Sequence, residues 1–307
     1  MTNAASTATG RPATSELVRR LPEYLVIWVP LLLSAAHLIS FSIWTIWISF
    51  TPSTLVPVTG WVGLRNYNSV LASRNWQVAF DNLLLFGIAF VLLSLMTGLL
   101  LAILLDQRIR GENVLRTIFL YPLAVSFVVT GTVWSWLLNP GIGIEKLAHD
   151  LGWTAFHFDW LVNRDMAIWT IVIAAIWQSS GFAMALFLAG LRSVDSDIIK
   201  AAQIDGAGPI RTYRRVILPT LWPITVTVIV VQLQFAISAF DLVRALTNGG
   251  PGIATQLPAL VVYDLMFQRS QLGRGAAAAV LMLLILLAVL LPYAAWRYVR
   301  RRQAAHA

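Results

Sequence analysis

The chain has 307 residues, 58% of them hydrophobic and only 12% charged, with a mean hydropathy of +0.74. Such a composition is too apolar for an ordinary soluble domain. A formal charge of +8 would suit nucleic acid, but Lys and Arg sit at the ends of apolar runs and not on one soluble domain, so no nucleic-acid partner is expected. Without cysteine, neither a disulfide framework nor a thiolate metal site is available.

Residues 1–23 read as a tail rich in Ala, Ser and Thr, with Arg11, Arg19 and Arg20. The apolar run from Tyr24 to Phe50 is too long for the core of a secretory signal and has no small-residue cleavage site after it, so it reads as an uncleaved first span. His37 is its only titratable side chain and is expected to face protein. Five further runs without charge follow, at about 82–105, 117–138, 166–191, 216–240 and 275–296. Each reaches the ~20 residues that a helix needs to cross the hydrocarbon core. Backbone groups in lipid must pair within their own segment, which makes helices the expected form. Pro122 and Gly131 in the third run, and Pro219 and Pro223 opening the fifth, predict kinks. The expected fold class is an all-α membrane protein: a six-helix domain over 24–298, then a short tail over 299–307.

An even number of spans leaves both termini on one side. Of the 22 Lys and Arg residues, 15 then fall on that side and 7 on the other. The positive-inside rule therefore puts both termini in the cytoplasm of a multi-pass inner-membrane protein. The outer loops become about 51–81, 139–165 and 241–274. Their Trp61, Tyr67, Trp76, Trp153 and Trp160 suit an interfacial aromatic belt.

One long polar segment interrupts the apolar pattern, Asp195 to Pro219, inside the cytoplasmic loop 192–219. It reads as two short helices meeting at a turn. Ser196 is the expected N-cap of the first, with Ile198, Ala201, Ala202 and Ile204 as a small apolar face. Gly206 and Gly208 supply the turn, and Pro209 suits the first position of the second helix. Ile210, Tyr213, Val216 and Ile217 make its apolar stripe, while Arg211, Arg214 and Arg215 point to water or anionic lipid. An amphipathic pair of this kind would suit a membrane surface or a docking partner.

Lys200-Ala-Ala, Asp205-Gly-Ala and Val216-Ile-Leu-Pro219 resemble the EAA loop of permease subunits in ABC-type importers. That motif runs Glu-Ala-Ala, three residues, Gly, nine residues, Ile-x-Leu-Pro. Its spacing is kept here, with Tyr213 where Phe is usual and Lys200 where the family generally has Glu. The resemblance implies that Lys200, Ala201, Ala202, Asp205, Gly206, Ala207, Tyr213 and Pro219 belong to a coupling helix that enters a groove of an ATPase subunit. Further pieces resemble the carbohydrate-uptake branch, the relatives of the larger maltose permease subunit. They are Trp61-Val-Gly-Leu-Arg-Asn-Tyr67, Asp81-Asn82, Trp136-Leu-Leu-Asn-Pro140, Phe182 to Leu191, Phe240-Asp241 and Thr247-Asn-Gly-Gly-Pro251.

No glycine loop with Gly-Lys-Ser/Thr is present, so ATP and magnesium are expected in a partner ATPase and no cofactor on this chain. His37, His149, His157 and His306 show no metal-ligand spacing, and no catalytic elbow or acid pair sits in a span. The chain is therefore not expected to be an enzyme. Polar side chains inside spans face a cavity or another helix. Gln232, Phe235 and Ala239 share one helical face by spacing. The resemblance implies sugar contacts at Gln178, Ser179, Phe182, Gln232, Ala236 and Ala239, since amides bond hydroxyls and rings pack on the apolar face of a sugar. The competing reading is that the glutamines and serines join helices. The implied assembly is this chain, a second homologous permease, two ATPase subunits and an extracytoplasmic sugar-binding protein. The same machinery could import another solute such as glycerol phosphate. An ATP-independent carrier would call for carboxylates within the spans, which are nearly free of them.

Overall fold

The structure, a computed structural model, describes residues 13–107 and 109–305, with the side chains of 26–107, 109–299 and 302. No strand occurs among the described residues. The elements run α1 (Ala13–Ser49), α2 (Arg65–Leu71), α3 (Arg74–Asp106), α4 (Glu112–Ala124), α5 (Phe127–Leu137), α6 (Ile144–Asp150) and α7 (Ala167–Arg192). They continue with α8 (Ser196–Ile204), α9 (Pro209–Thr212), a wider π turn at Tyr213–Ile217, α10 (Leu218–Thr220) and α11 (Trp222–Ile237). Last come α12 (Phe240–Leu246), α13 (Pro258–Tyr263), a second π turn at Asp264–Gln268, and α14 (Leu272–Ala305).

Four helices, α1, α3, α7 and α14, are long and apolar enough to cross a membrane. The third and fifth apolar runs are instead bent pairs, α4 with α5 at 98° and Pro209–Thr220 with α11 at 65°, which make six spans if each pair counts once. The expected kinks are thus full breaks. In the third run the break falls at Val125–Ser126, after Pro122, and the Ser126 hydroxyl caps α5 by accepting from the Val129 N–H at 3.4 Å. Gly131 lets α12 lie close on α5, since a Cβ there would stand 2.7 Å from the Ala245 Cβ and 2.8 Å from the Leu242 oxygen.

The core is built around α7, whose most apolar window is 61% buried, against 0% for that of α1. Its neighbours are α3, α4, α5, α11 and α12. One cluster packs Phe86 and Phe90 of α3 with Ile171 of α7, Leu242 of α12 and Leu260 of α13. A second, toward the other end, joins Leu105, Met184, Phe187 and Leu188 to Ile217, inside the segment 195–219, and to Leu221 just beyond it. Helix α1 lies outside this bundle and rests on α14.

Helix α1 runs from Ala13 and α14 to Ala305, while their stretches apolar enough to span a membrane are Val26–Ser49 and Leu272–Val299. Arg11, Arg108 and His306 lie outside the described residues. His37 is exposed on the outside of α1, with the Phe41 ring 4.5 Å away and no other helix over it among the described residues. Trp76 does not belong to an aromatic belt: it is buried with Val70, Ala79 and Val261 in a third cluster. The loops beyond the spans are tied down by amides. The side chain of Asn66 donates to the carbonyls of Ser49 and Thr51 at 2.9 and 2.8 Å, and that of Asn82 to Ala254 and Gln256 at 2.9 and 3.0 Å. The Gly249–Gly252 stretch is a turn tucked between α12 and α13, with Gly249 buried and Thr255 donating to the Gly250 carbonyl at 2.7 Å.

Candidate functional site

The segment 195–219 forms the two-helix unit that its sequence predicts, one residue out of register at the start. Asp195, and not Ser196, is the N-cap: its carboxylate accepts from the Asp197 N–H at 2.9 Å. The first helix ends in a Schellman turn, with the Ala207 N–H on the Ala202 carbonyl and the Gly206 N–H on the Gln203 carbonyl, both at 3.0 Å. Gly206 occupies the left-handed position with φ +75, whereas Gly208 has φ −66 and needs no glycine for its conformation. Pro209 is the first residue of α9. The π turn ahead of Pro219 closes through the Leu218 N–H to the Tyr213 carbonyl, and places the ring in a turn wider than an α-helix.

What this unit shows to its surroundings is unusual for one chain. Ile204 and Ile210 are 85% and 84% exposed. Arg211, Arg214 and Arg215 are exposed beside Ile210 around an open hollow with Gly208 and Pro209. Lys200 is exposed and forms an ion pair with Asp197 at 2.8 Å, so the cation in the usual Glu position already has a local partner. Ala201, Asp205, Gly206 and Pro219 are also exposed, and Ala202, Ala207 and Tyr213 are half-buried. Inward, Ile199, Tyr213 and Ile217 pack on the cluster of Leu105 and Phe187. Tyr213 faces Asp106 and Gln107 at the end of α3. Arg192 closes the same end, 2.6 Å from Glu112 and 3.8 Å from Asp106.

The polar residues of the spans are placed differently. Gln232 is fully buried, and its amide nitrogen donates to the Ser94 hydroxyl and, at 3.4 Å, to that of Ser179. Ser179 also donates to the Ala175 carbonyl at 2.8 Å. The amide nitrogen of Gln178 donates to the Val125 carbonyl at 2.7 Å. Both glutamine side-chain oxygens are buried, with no hydrogen-bond partner among the described residues. Ala236 is in the core, beside Gly87 of α3. Phe182, Phe235 and Ala239 are half-buried instead, and Phe235 meets Phe182 and Phe127 edge-on at 6.2 and 6.3 Å between ring centres. The structure thus brings the named residues to α7, to α11 and, for Ala239, to the N-cap of α12, but on two sides: an amide–hydroxyl knot inside, and an aromatic face outside it. Ser94, Val125 and Phe127 complete these two groups and were missed by the sequence reading. A serine opposite two glutamine-bearing spans was the only signal available.

No metal site was expected from the histidines, yet the structure brings Glu145, His149 and His157 together. One ligand atom from each lies within 4.8 Å of the others. Burial would raise the Glu145 pKa; hydrogen bonds from His157 and the Phe158 N–H, with the field of both imidazoles, hold it below the usual value. The Glu145–His149 spacing of one helical turn was the sequence signal; His157, eight residues on in a loop, gave none.

Residues 94–304 match the family described as "Binding-protein-dependent transport system inner membrane component". The chain belongs to this family: it is the permease subunit of an ABC importer. It is 38% identical to a probable ABC transporter permease protein of Pyrococcus horikoshii, over 91% of this chain and 96% of the relative. It is 37% identical to the xylose/arabinose import permease protein XacH of Haloferax volcanii, over 76% and 74%. It is 34% identical to the sn-glycerol-3-phosphate transport system permease protein UgpA of Rhizobium meliloti, over 75% and 78%. A crystal structure of a bacterial ABC transporter involved in the import of the acidic polysaccharide alginate contains a chain of the same fold. That chain superposes with a TM-score of 0.79 at 19% identity, over 95% of this permease and 99% of the other chain.

Proposed function

We propose that this permease forms, with a second homologous permease, the membrane path for a neutral sugar. In this reading two ATPase subunits drive it through the loop 192–219, and an extracytoplasmic binding protein delivers the sugar. The observation that carries the coupling role is the exposure of both Ile204 and Ile210 on a two-helix unit whose first helix is capped by Asp195. Large apolar side chains exposed together mark a partner surface, and the three arginines beside them give that partner an acidic complement.

Both termini and this loop lie in the cytoplasm by the positive-inside rule, and lipid covers the exposed apolar side of α1. Binding of ATP closes the ATPase dimer and draws the coupling units together. Because Ile217 and Leu221 are in the same cluster as Leu105 and Phe187, a displacement of the unit reaches α3 and α7 directly. The spans rotate, the path opens outward, and hydrolysis resets it. No covalent step falls to the permease, which stabilises two conformations differently.

For the path itself, Phe182, Phe235 and Ala239 provide the face that meets substrate, and Phe127 extends it. Gln178, Ser179, Gln232 and Ala236 stand behind and set the position of that face, reaching substrate only if the helices move apart. A xylose/arabinose permease among the relatives supports a sugar. The glycerol-phosphate relative supports the second reading, but the apolar runs over 82–240 contain no Lys or Arg to hold a phosphate.

Uptake by the complete complex in proteoliposomes, with its binding protein and internal ATP, decides between them. Accumulation of a mono- or oligosaccharide but not of sn-glycerol 3-phosphate is expected. Uptake of glycerol phosphate alone would overturn the sugar assignment, and uptake without ATP would overturn the importer mechanism.

A further inference from the structure

Between α5 and α7 the chain carries a side-chain cluster that transport does not use. Glu145 and His149 stand one turn apart on α6, and His157 returns to them from the loop beyond. We propose that Glu145, His149 and His157 form a binding site for a first-row divalent cation, zinc above all.

The distances are close to those that a cation needs. Oε1 of Glu145 lies 3.3 Å from Nδ1 of His157. Two tetrahedral zinc ligands, each ~2.0–2.1 Å from the metal, stand about 3.4 Å apart. A nitrogen of the His149 ring is within 4.8 Å of both, so the third ligand is in the neighbourhood of the same ion.

The surroundings orient the ligands as outer-shell groups do. Nε2 of His149 lies 2.8 Å from the Phe156 carbonyl oxygen. A carbonyl can only accept, so Nε2 carries the hydrogen and the lone pair is on Nδ1. A backbone carbonyl holding the second N–H of a liganding imidazole is a recurrent arrangement at metal sites. The Phe158 N–H donates to Oε2 of Glu145 at 3.2 Å and leaves Oε1 toward His157.

Two imidazoles and one carboxylate suit zinc and its neighbours, whereas magnesium and calcium select all-oxygen sets. Lys146, next to Glu145 on α6, is paired with Asp150 at 2.8 Å and not with the cluster. The His157 side chain is 73% exposed and that of Glu145 14%, so an ion can enter and water can supply the remaining ligand. A bound cation would pin α6 to the loop at 156–158.

The test uses the full-length permease in its complex, in nanodiscs, purified without a histidine tag and stripped with a chelator. Zinc alone is titrated against a colour-forming competitor. One equivalent per permease is expected, weakened at least ~tenfold in His149→Ala and in His157→Ala and unchanged in His37→Ala. Thermal unfolding provides the second readout: zinc should raise the midpoint of the wild-type protein and leave that of the double variant His149→Ala/His157→Ala where it was. Equal midpoints of the two proteins without zinc would show that the variant is folded. Absence of stoichiometric binding, or binding by the double variant as tight as wild type, would overturn the site and reduce the cluster to a Glu145–His157 ion pair.

Discussion

The side chain of Gln178, in the middle of α7, donates to the carbonyl of Val125 at 2.7 Å, at the point where α4 stops and α5 turns away by 98°. A break inside a span leaves carbonyls that lipid cannot satisfy. One of them is satisfied here by a neighbouring helix. The glutamine is therefore a strut for the bend before it can be anything for a substrate.

Replacing Gln178 by Leu should strand that carbonyl and cost about 1–3 kcal/mol. The expected outcome is a lower thermal midpoint of the detergent-solubilised complex. An unchanged midpoint would mean that the bend is held by packing alone.

Gln232 and Phe235 should respond in different ways. Gln232→Leu removes the links to Ser94 and Ser179 and should lower stability while preserving the order of preference over a panel of sugars. Phe235→Ala leaves those links intact and should change uptake of the preferred sugar with little loss of stability. Kinetic uptake assays paired with thermal unfolding separate the two. An altered sugar preference in Gln232→Leu would place its amide in the path.

In the two-helix unit 195–219, Gly206→Val forces a β-branched residue to φ +75, a conformation that costs about 1–2 kcal/mol for an L-residue. Nothing lies within 4 Å of a Cβ at this position, so the effect is conformational. Gly206→Val should uncouple ATP hydrolysis from uptake in a complex that still inserts, and Gly208→Ala should be close to neutral. Normal uptake by Gly206→Val would contradict the docking role.

Glu112→Gln tests the ionic closure with Arg192. The partners are partly exposed, 26% and 45% by side chain, and such pairs contribute at most ~1 kcal/mol. A midpoint shift of a few degrees or less is expected by thermal unfolding. A large drop would show that the pair is desolvated in the assembled complex.

Local chemistry was what the sequence made legible. The turn of the coupling unit follows from Gly206 and Pro209, and the spans follow from uncharged runs, because each needs only its own residues. The cap at Asp195 in place of Ser196 is a choice between adjacent competent side chains. Depth within the bundle was harder to read. Gln232, Phe235 and Ala239 share a helical face by spacing, but α11 ends at Ile237, and which neighbour covers each position depends on α3 and α7, far away in sequence. Trp76 was misplaced for the same reason: an aromatic residue near a span end looks interfacial until α13 and α14 are brought over it. His157 needed a loop closure of eight residues to reach His149.

Co-purification tests the central claim most directly. The permease, tagged and extracted in mild detergent from its own host, should bring down a second six-span protein and an ATPase with a Gly-Lys-Ser/Thr loop. Ile210→Asp, a charge placed on the exposed contact residue, should release the ATPase while the second permease stays bound. Recovery of the chain alone, or an ATPase retained equally by Ile210→Asp, would contradict the assignment of this surface as the coupling contact.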